Sequence, residues 1–330
     1  MDWGSIFRNG GQAAFGPVAI YTALAAIGLN IQFGYTGLLN FGQAAFAAAG
    51  AYGIAVSVTT YGLSFWTGVA IALFASIMLA IVLGVPTLRL RSDYLAIVTI
   101  AAAEIVRLIV RSVRYTATLG GTDGLQGFTG RFYEISPLHG NEYGFWFIKY
   151  SRDDTWISIV GWLLVAFCCL VTFLLIRSPW GRIVKAIRED EDAVRSLGKN
   201  TYWYKMQSLI LGGVFGAFSG IVFALSKHSV NPDDYATKFT FTALAVLILG
   251  GTARVIGPVI GAIIFTGALQ AVDVFTREAI RVGYLPSWLI DDSKVAIVRL
   301  IFVGLVIVLL MIFRPQGILG DRREALIRDR

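Results

Sequence analysis

Stretches of about twenty mostly apolar residues recur along the whole of this chain, each long enough to cross roughly 30 Å of bilayer hydrocarbon as an α-helix. No water is available there to bond backbone amides, so only helices and closed barrels can span. A barrel requires segments that alternate apolar and polar, and no such alternation persists here. With 56% hydrophobic and 15% charged residues over 330 positions, a soluble globular domain is also excluded. The fold expected is an all-α polytopic membrane protein forming one transmembrane domain over residues 1–330.

Apolar runs place spans near 15–34, 38–58, 65–88, 94–110, 155–176, 206–225, 239–250, 255–275 and 295–313, about nine, with eight to ten open. The run at 239–250 is short and ends on Gly250 and Gly251, which suits a broken or half helix lining a cavity. The opening MDWGSIFRNGGQ has neither the basic region nor the cleavage site of a secretory signal and is expected to stay on the mature protein. Cys168 and Cys169 are neighbours within an apolar run, better suited to packing than to a disulfide or metal, and no metal site is expected. The net charge of +7 gathers in loops beside the spans, a signature of topology, and no nucleic-acid partner is inferred.

Lysine and arginine in short loops stay cytoplasmic during insertion. Arg177, Arg182, Lys185, Arg188, Arg195, Lys199 and Lys205 crowd one connection, and Arg314, Arg322, Arg323, Arg328 and Arg330 crowd the tail. Both are expected in the cytoplasm, which puts 111–154, 226–238 and 276–294 outside. The segment SPWGRIVKAIREDEDAVRSLGKNTYWYK, 178–205, carries helix signals over 178–198: Ser178 as a cap, Pro179 at the first position, and Gly198 for a left-handed end. Charges four apart, Lys185 with Glu189, Arg188 with Asp192 and Glu191 with Arg195, support an exposed surface. Ile183, Ile187, Val194 and Leu197 form a stripe that includes Asp190. The run Glu189, Asp190, Glu191, Asp192 would be repelled by an anionic leaflet, which favours a protein groove over lipid. The pattern G-x-x-x-x-G-K-[ST] is absent, so ATP hydrolysis is not expected here and the chain is not expected to be an enzyme.

The series GYTGLLNFGQAAFAAAGAYG (34–53), PTLRLRSDYLAIVTIAAAEIVRLIV (86–110), GGTDGL (120–125), KAIREDEDAVRSLG (185–198), LGGTARVIGPVIGA (249–262) and FRPQGILG (313–320) resembles the branched-chain amino-acid ABC importer permease family, its LivM-type transmembrane subunit above all. The resemblance implies the permease fold of that family and a bacterial inner membrane location with a cytoplasmic C-terminus. It further implies a paralogous permease subunit, two ATPase subunits that hold ATP and Mg, and a periplasmic or extracytoplasmic substrate-binding protein. By the same resemblance 188–198 matches the segment that engages the ATPase. Coupling is thus expected of Ile187 and Ala193, of Arg188, Glu189, Asp190 and Glu191, and of Gly198. Two departures stand out: Gln43 where a histidine is common, and Thr252, Ala253 and Arg254 in place of a glycine-richer run.

Asn40, Phe41, Gly42, Gln43 and Phe46 interrupt or follow an apolar run and are candidates to line a translocation path, with simple interhelical packing as the alternative. Gly212, Gly216 and Gly220, like Gly257 and Gly261, suit close helix contacts. Glu104 shares a helix face with Arg107, Arg111 and Arg114, so a buried pair between Glu104 and Arg107 is expected. The turn Gly120–Gly124 is either a contact for the binding protein or an ordinary surface turn. The function expected is an ATP-driven importer permease for branched-chain or other hydrophobic amino acids. The alternatives are an ion-coupled secondary transporter using Glu104, a permease for urea or other small solutes, and a membrane scaffold.

Overall fold

A computed structural model describes residues 3–88, 92–140, 142–145 and 148–282, scattered helical positions between 301 and 312, and 317–320. The expected span 295–313 lies mostly, and the tail arginines wholly, outside the described residues. Thirteen α-helices are present among them: α1 Trp3–Phe15, α2 Pro17–Leu29, α3 Gln43–Thr59, α4 Phe65–Thr87, α5 Ser92–Arg111, α6 Thr116–Leu119, α7 Gly130–Glu134, α8 Arg152–Arg177, α9 Pro179–Glu189, α10 Glu191–Ser196, α11 Thr201–Lys227, α12 Thr237–Gly250 and α13 Gly257–Arg281. Five of these segments are long and apolar enough to cross a membrane: Pro17–Tyr35, α4, α8, α11 and α13. The apolar helices α3 and α12 are shorter, and α5 has crossing length but carries Asp93, Glu104, Arg107 and Arg111. Against the expectation of about nine crossings, five segments among the described residues are long and apolar enough, and nine is not reached. A helix the sequence reading did not separate, α1, packs on α13 where Gly10 meets Gly267 and Ala271.

The packing is concentric. The apolar stretch is 83% buried in Pro17–Tyr35 and 72% buried in α11, against 33% in α4, 28% in α8 and 33% in α13. Helices α2, α3 and α11 form the axis, and the others turn Trp66, Phe74, Leu163 or Phe167 outward, as lipid-facing surfaces do. Axial helices touch through glycine: Gly28 meets Gly212, Gly50 meets Ala217, and Gly220 meets Ala47, so close that a Cβ would strike the opposing carbonyl. Gly261 does the same against Val246 and Gly250 of α12. Peripheral helices are started by ordinary caps, Ser64 accepting from the Thr67 amide and Ser151 from that of Asp154, the latter with Asp153 and Asp154 favouring the positive end of α8.

After α2 the chain runs through a π-helical turn, Asn30–Tyr35, then an irregular stretch to α3. One end of the bundle gathers this turn, α9, α10, the 251–254 turn and residues 317–319, the last through Ile318 and Leu319 amides bonded to the Leu249 and Gly250 carbonyls. The opposite end gathers the 112–151 connection and 228–236, joined as a two-stranded antiparallel pair, β1 Leu125–Gln126 with β4 Ser229–Val230. A second hairpin, β2 Glu142–Phe145 with β3 Ile148–Ser151, leads into α8. The expected grouping of 111–154 with 226–238 thus corresponds to one end of the molecule.

Candidate functional site

The 178–198 segment is not one helix. It breaks at Asp190, whose backbone is extended (φ −154°, ψ 103°) and whose carboxylate accepts from the Ala193 amide at 2.9 Å, capping α10. Aspartate competes with helical backbone in this way, and the break puts Glu191 and Asp192 at the favourable positive end of a new helix. Pro179 takes the first position of α9 as expected, but the Ser178 hydroxyl donates back to the Leu175 carbonyl and does not cap. Gly198 is left-handed, φ 76°. The stripe is corrected more sharply: Ile187 and Val194 are buried against this chain and Ile183 is half-buried, whereas Leu197 is 79% exposed. Asp190 is a cap between two helices, not a member of a continuous stripe. What faces outward is Glu189, Asp192, Ala193, Ser196 and Leu197.

Two ties hold this unit to the bundle. Arg188 donates to the buried Gly34 carbonyl at 2.6 Å, beneath Gly37, which takes a left-handed φ of 74° there, and Lys185 stands over the Tyr35 ring. Glu191 accepts from Thr201 and pairs with Lys205 and Arg195. Burial pushes the Glu191 carboxyl upward, but Lys205, Thr201 and Arg195 together outweigh it and hold it below the usual carboxylate range. The base of α9 is fixed to α11 where the Trp180 indole donates to Gln207 at 2.8 Å.

The Arg188 tie ends on the π turn, and the turn carries a chain of amides. Asn30 donates to the Arg254 carbonyl and accepts from the Ala253 amide; Gln32 donates to the Leu209 carbonyl; Asn40 donates to Gln32 Oε1 at 2.7 Å and accepts from the Gly42 amide. Gln43 donates to the Gly212 carbonyl at 3.1 Å, and its Oε1 is buried with no partner. Phe41 is held through its amide by Thr99, and the Ala44 amide by Thr240. Among the residues expected to line a path, Asn40, Gly42, Gln43 and Phe46 are buried inside this subunit, and Phe41 is half-exposed beside Phe241. The sequence reading missed Asn30, Gln32 and Thr99; two further amides close to Asn40 and Gln43 in an apolar stretch were the available signal.

Glu104 and Arg107 are brought together, the Arg107 Nε lying 3.1 and 3.0 Å from the two carboxylate oxygens. The pair is less buried than expected, since the Glu104 side chain is 38% exposed. It extends to a residue the sequence reading did not single out: Arg107 reaches Asp233 at 2.6 Å and Arg111 reaches it at 3.3 Å. In the Gly120–Gly124 turn, Gly120, Gly121 and Gly124 take positive φ, and the Thr122 carbonyl accepts from Asn231. Among the described residues no group of three or more His, Cys, Asp or Glu could hold a metal ion.

The sequence pattern of the family described as branched-chain amino acid transport system / permease component matches residues 15–313. The high-affinity branched-chain amino acid transport system permease protein LivM of Salmonella typhimurium is 33% identical over 317 residues, which cover 93% of this chain and 69% of that protein. Its Escherichia coli K12 counterpart is 34% identical with the same coverage. The "Probable branched-chain amino acid transport permease protein LivM" of Methanocaldococcus jannaschii is 24% identical over 338 residues, covering 91% of this chain and 90% of that protein.

Proposed function

Because the chain belongs to the family of branched-chain amino acid transport system permease components, we propose that it forms one half of the membrane channel of an ATP-driven importer for branched-chain amino acids. In this reading it lies in a bacterial inner membrane with α9, α10 and the C-terminus in the cytoplasm. A paralogous permease completes the channel, an extracytoplasmic binding protein delivers substrate, and two ATPase subunits supply the work. The nine crossings expected from the sequence belong to the same reading.

One observation carries it: the α9–α10 unit exposes an acidic apex around Leu197, while its apolar side is spent on its own chain and Arg188 ties it to the π turn. Such a unit transmits a push as a rigid body. The apex is therefore the ATPase contact, with Glu189, Asp192, Ala193 and Leu197 as its contact residues, Asp190 and Gly198 setting its shape, and Ile187, Arg188 and Glu191 fastening it. The buried amides Asn40 and Gln43 then position α3 against α11, and of the path candidates Phe41 is the one placed to meet a solute or the second permease.

The test uses the assembled importer in vesicles. Asp192→Lys and Leu197→Asp, both at exposed positions, are expected to abolish ATP-driven leucine uptake while the two permeases still co-purify. Unchanged uptake overturns the docking assignment. Uptake that needs no ATPase subunit and collapses with an uncoupler overturns the importer reading in favour of a secondary transporter.

A further inference from the structure

At the end opposite α9 and α10, a cavity of about 500 Å³ opens between α2, α11, α12 and α13, within the range of small-ligand sites. Its wall is aromatic. Tyr21, Phe223 and Phe239 lie with ring centroids 4.4 Å apart for the first pair and 6.1 to 6.2 Å apart for the others. Polar groups stand around it, and most are already satisfied: both oxygens of Asp234 accept from Lys227, at 2.5 and 2.6 Å. Three are not. Among the described residues Lys238 and Gln270 make no side-chain hydrogen bond or ion pair, and Asp233 receives Arg107 and Arg111 on Oδ1 alone, with no donor from these residues on Oδ2.

A carboxylate of a ligand finds its partner in Lys238. An ammonium finds one in Asp233 Oδ2, and an apolar side chain meets the three rings. The local charge favours the carboxylate contact, since Arg107, Arg111, Lys227 and Lys238 outnumber Glu104, Asp233 and Asp234. A phospholipid headgroup suits the site less well, because the two aspartates face the same space.

We propose that this cavity is a substrate-acceptor site within the permease itself, taking a zwitterionic amino acid with an apolar side chain through Lys238, Asp233 and the Tyr21–Phe223–Phe239 wall. It rests on the importer reading and adds a second point of selection after the binding protein.

The experiment measures equilibrium binding of radiolabelled leucine to the assembled permease–ATPase complex in nanodiscs, with no binding protein present. Leucine binds saturably and is not displaced by glycine, which cannot reach the aromatic wall. Lys238→Gln, at an exposed position that supports no other side chain, weakens leucine about tenfold or more, the scale of one charged contact. Competition sharpens the assignment: leucinamide, lacking the carboxylate, competes weakly with the parent protein and no worse with Lys238→Gln. An absence of leucine binding overturns the proposal, as does equal affinity in Lys238→Gln or displacement of leucine by anionic lipid alone. If the complete importer still takes up leucine with ATP while Lys238→Gln keeps its half-saturation, the site fails and the importer reading stands; if no ATP-driven uptake occurs at all, the importer reading itself fails.

Discussion

At the α9–α10 end, an arginine is fastened to buried backbone; at the opposite end, two arginines are fastened to an exposed carboxylate. Arg188 bonds the carbonyl of Gly34, a buried residue, whereas Arg107 and Arg111 meet Asp233, whose side chain is 62% exposed. Opening the first contact strands a buried acceptor, at a cost of about 1–3 kcal/mol. Opening the second lets Asp233 hydrate while Arg107, 14% exposed, stays paired with Glu104, and a pair with an exposed partner contributes about 0.2–1 kcal/mol. The bundle is thus stiff where a motor would push and loosely latched where a solute would be received. A displacement of α9 carries the π turn, and through Asn30, Gln32 and Asn40 the axis of the bundle, before it meets a contact that yields readily.

The most severe way to break this contrast is Arg188→Ala. It is expected to destabilise the assembled permease by about 1–3 kcal/mol and to lower ATP-driven uptake at least about tenfold, read as thermal unfolding and as initial rates in vesicles. If instead the unfolding curve and the uptake both match the parent protein, the α9 end is no stiffer than its opposite.

How much of this asymmetry the sequence could disclose depends on the length scale of each cause. Apolar length is local, so the axial and peripheral helices fall close to the runs expected from residues 15 to 275, and the glycines at 212, 216 and 220 announce close packing through spacing alone. The break at Asp190 was also local in origin, since an aspartate with two acidic residues after it is a strong cap, yet the apolar stripe argued for continuity and outweighed it. The partners of Arg188, Arg107 and Gln43 were not legible in the same way. Gly34 lies 154 residues from Arg188, Asp233 lies 126 from Arg107 and Gly212 lies 169 from Gln43, and a single sequence offers no signal for such pairings. The candidate path suffered from this most: an amide in an apolar run is equally suited to a channel wall and to an interhelical bond, and only the neighbours decide.

A smaller effect of opposite sign comes from Ala253. It holds a φ of 57°, a region costly for alanine, and donates its amide to Asn30. Ala253→Gly is expected to raise the stability of the stiff end by about 1 kcal/mol with uptake unchanged, as measured by the unfolding midpoint of the complex. A gain in stability accompanied by slower transport would show that the strained turn is used in the cycle and not only tolerated. The 252–254 stretch departs from the glycine-richer run of the resemblance, and this strained alanine gives the departure a physical consequence.

Asp233→Asn probes the loose end. The amide keeps a hydrogen-bond acceptor but loses the charge, so the change in global stability stays within about 1 kcal/mol. Amide hydrogen exchange in 112–119 and 228–236 is expected to quicken while that of α9 and α11 does not. Equal acceleration at both ends would mean that the two are one cooperative unit.

The least effect, and the finest distinction, belongs to Glu191. Its carboxyl sits below the usual range because Lys205, Thr201 and Arg195 outweigh the upward push of burial. A depressed carboxylate contributes stability that is complete above its unfolded value, near 4.5, and is lost as pH falls through the lowered folded value. The tie between α10 and α11 should accordingly hold from neutral pH down past 4.5 and loosen only in stronger acid, visible as faster exchange of the amides in 191–205. Glu191→Gln should show that faster exchange already at neutral pH and no further change on acidification. The bond from Arg188 to the Gly34 carbonyl ends on an acceptor that does not titrate in this range, so α9 should stay fastened to the π turn there. If α9 and α10 loosen together at the same pH, the two fastenings are one, and the stiffness of this end rests on Glu191 instead of on the Gly34 carbonyl.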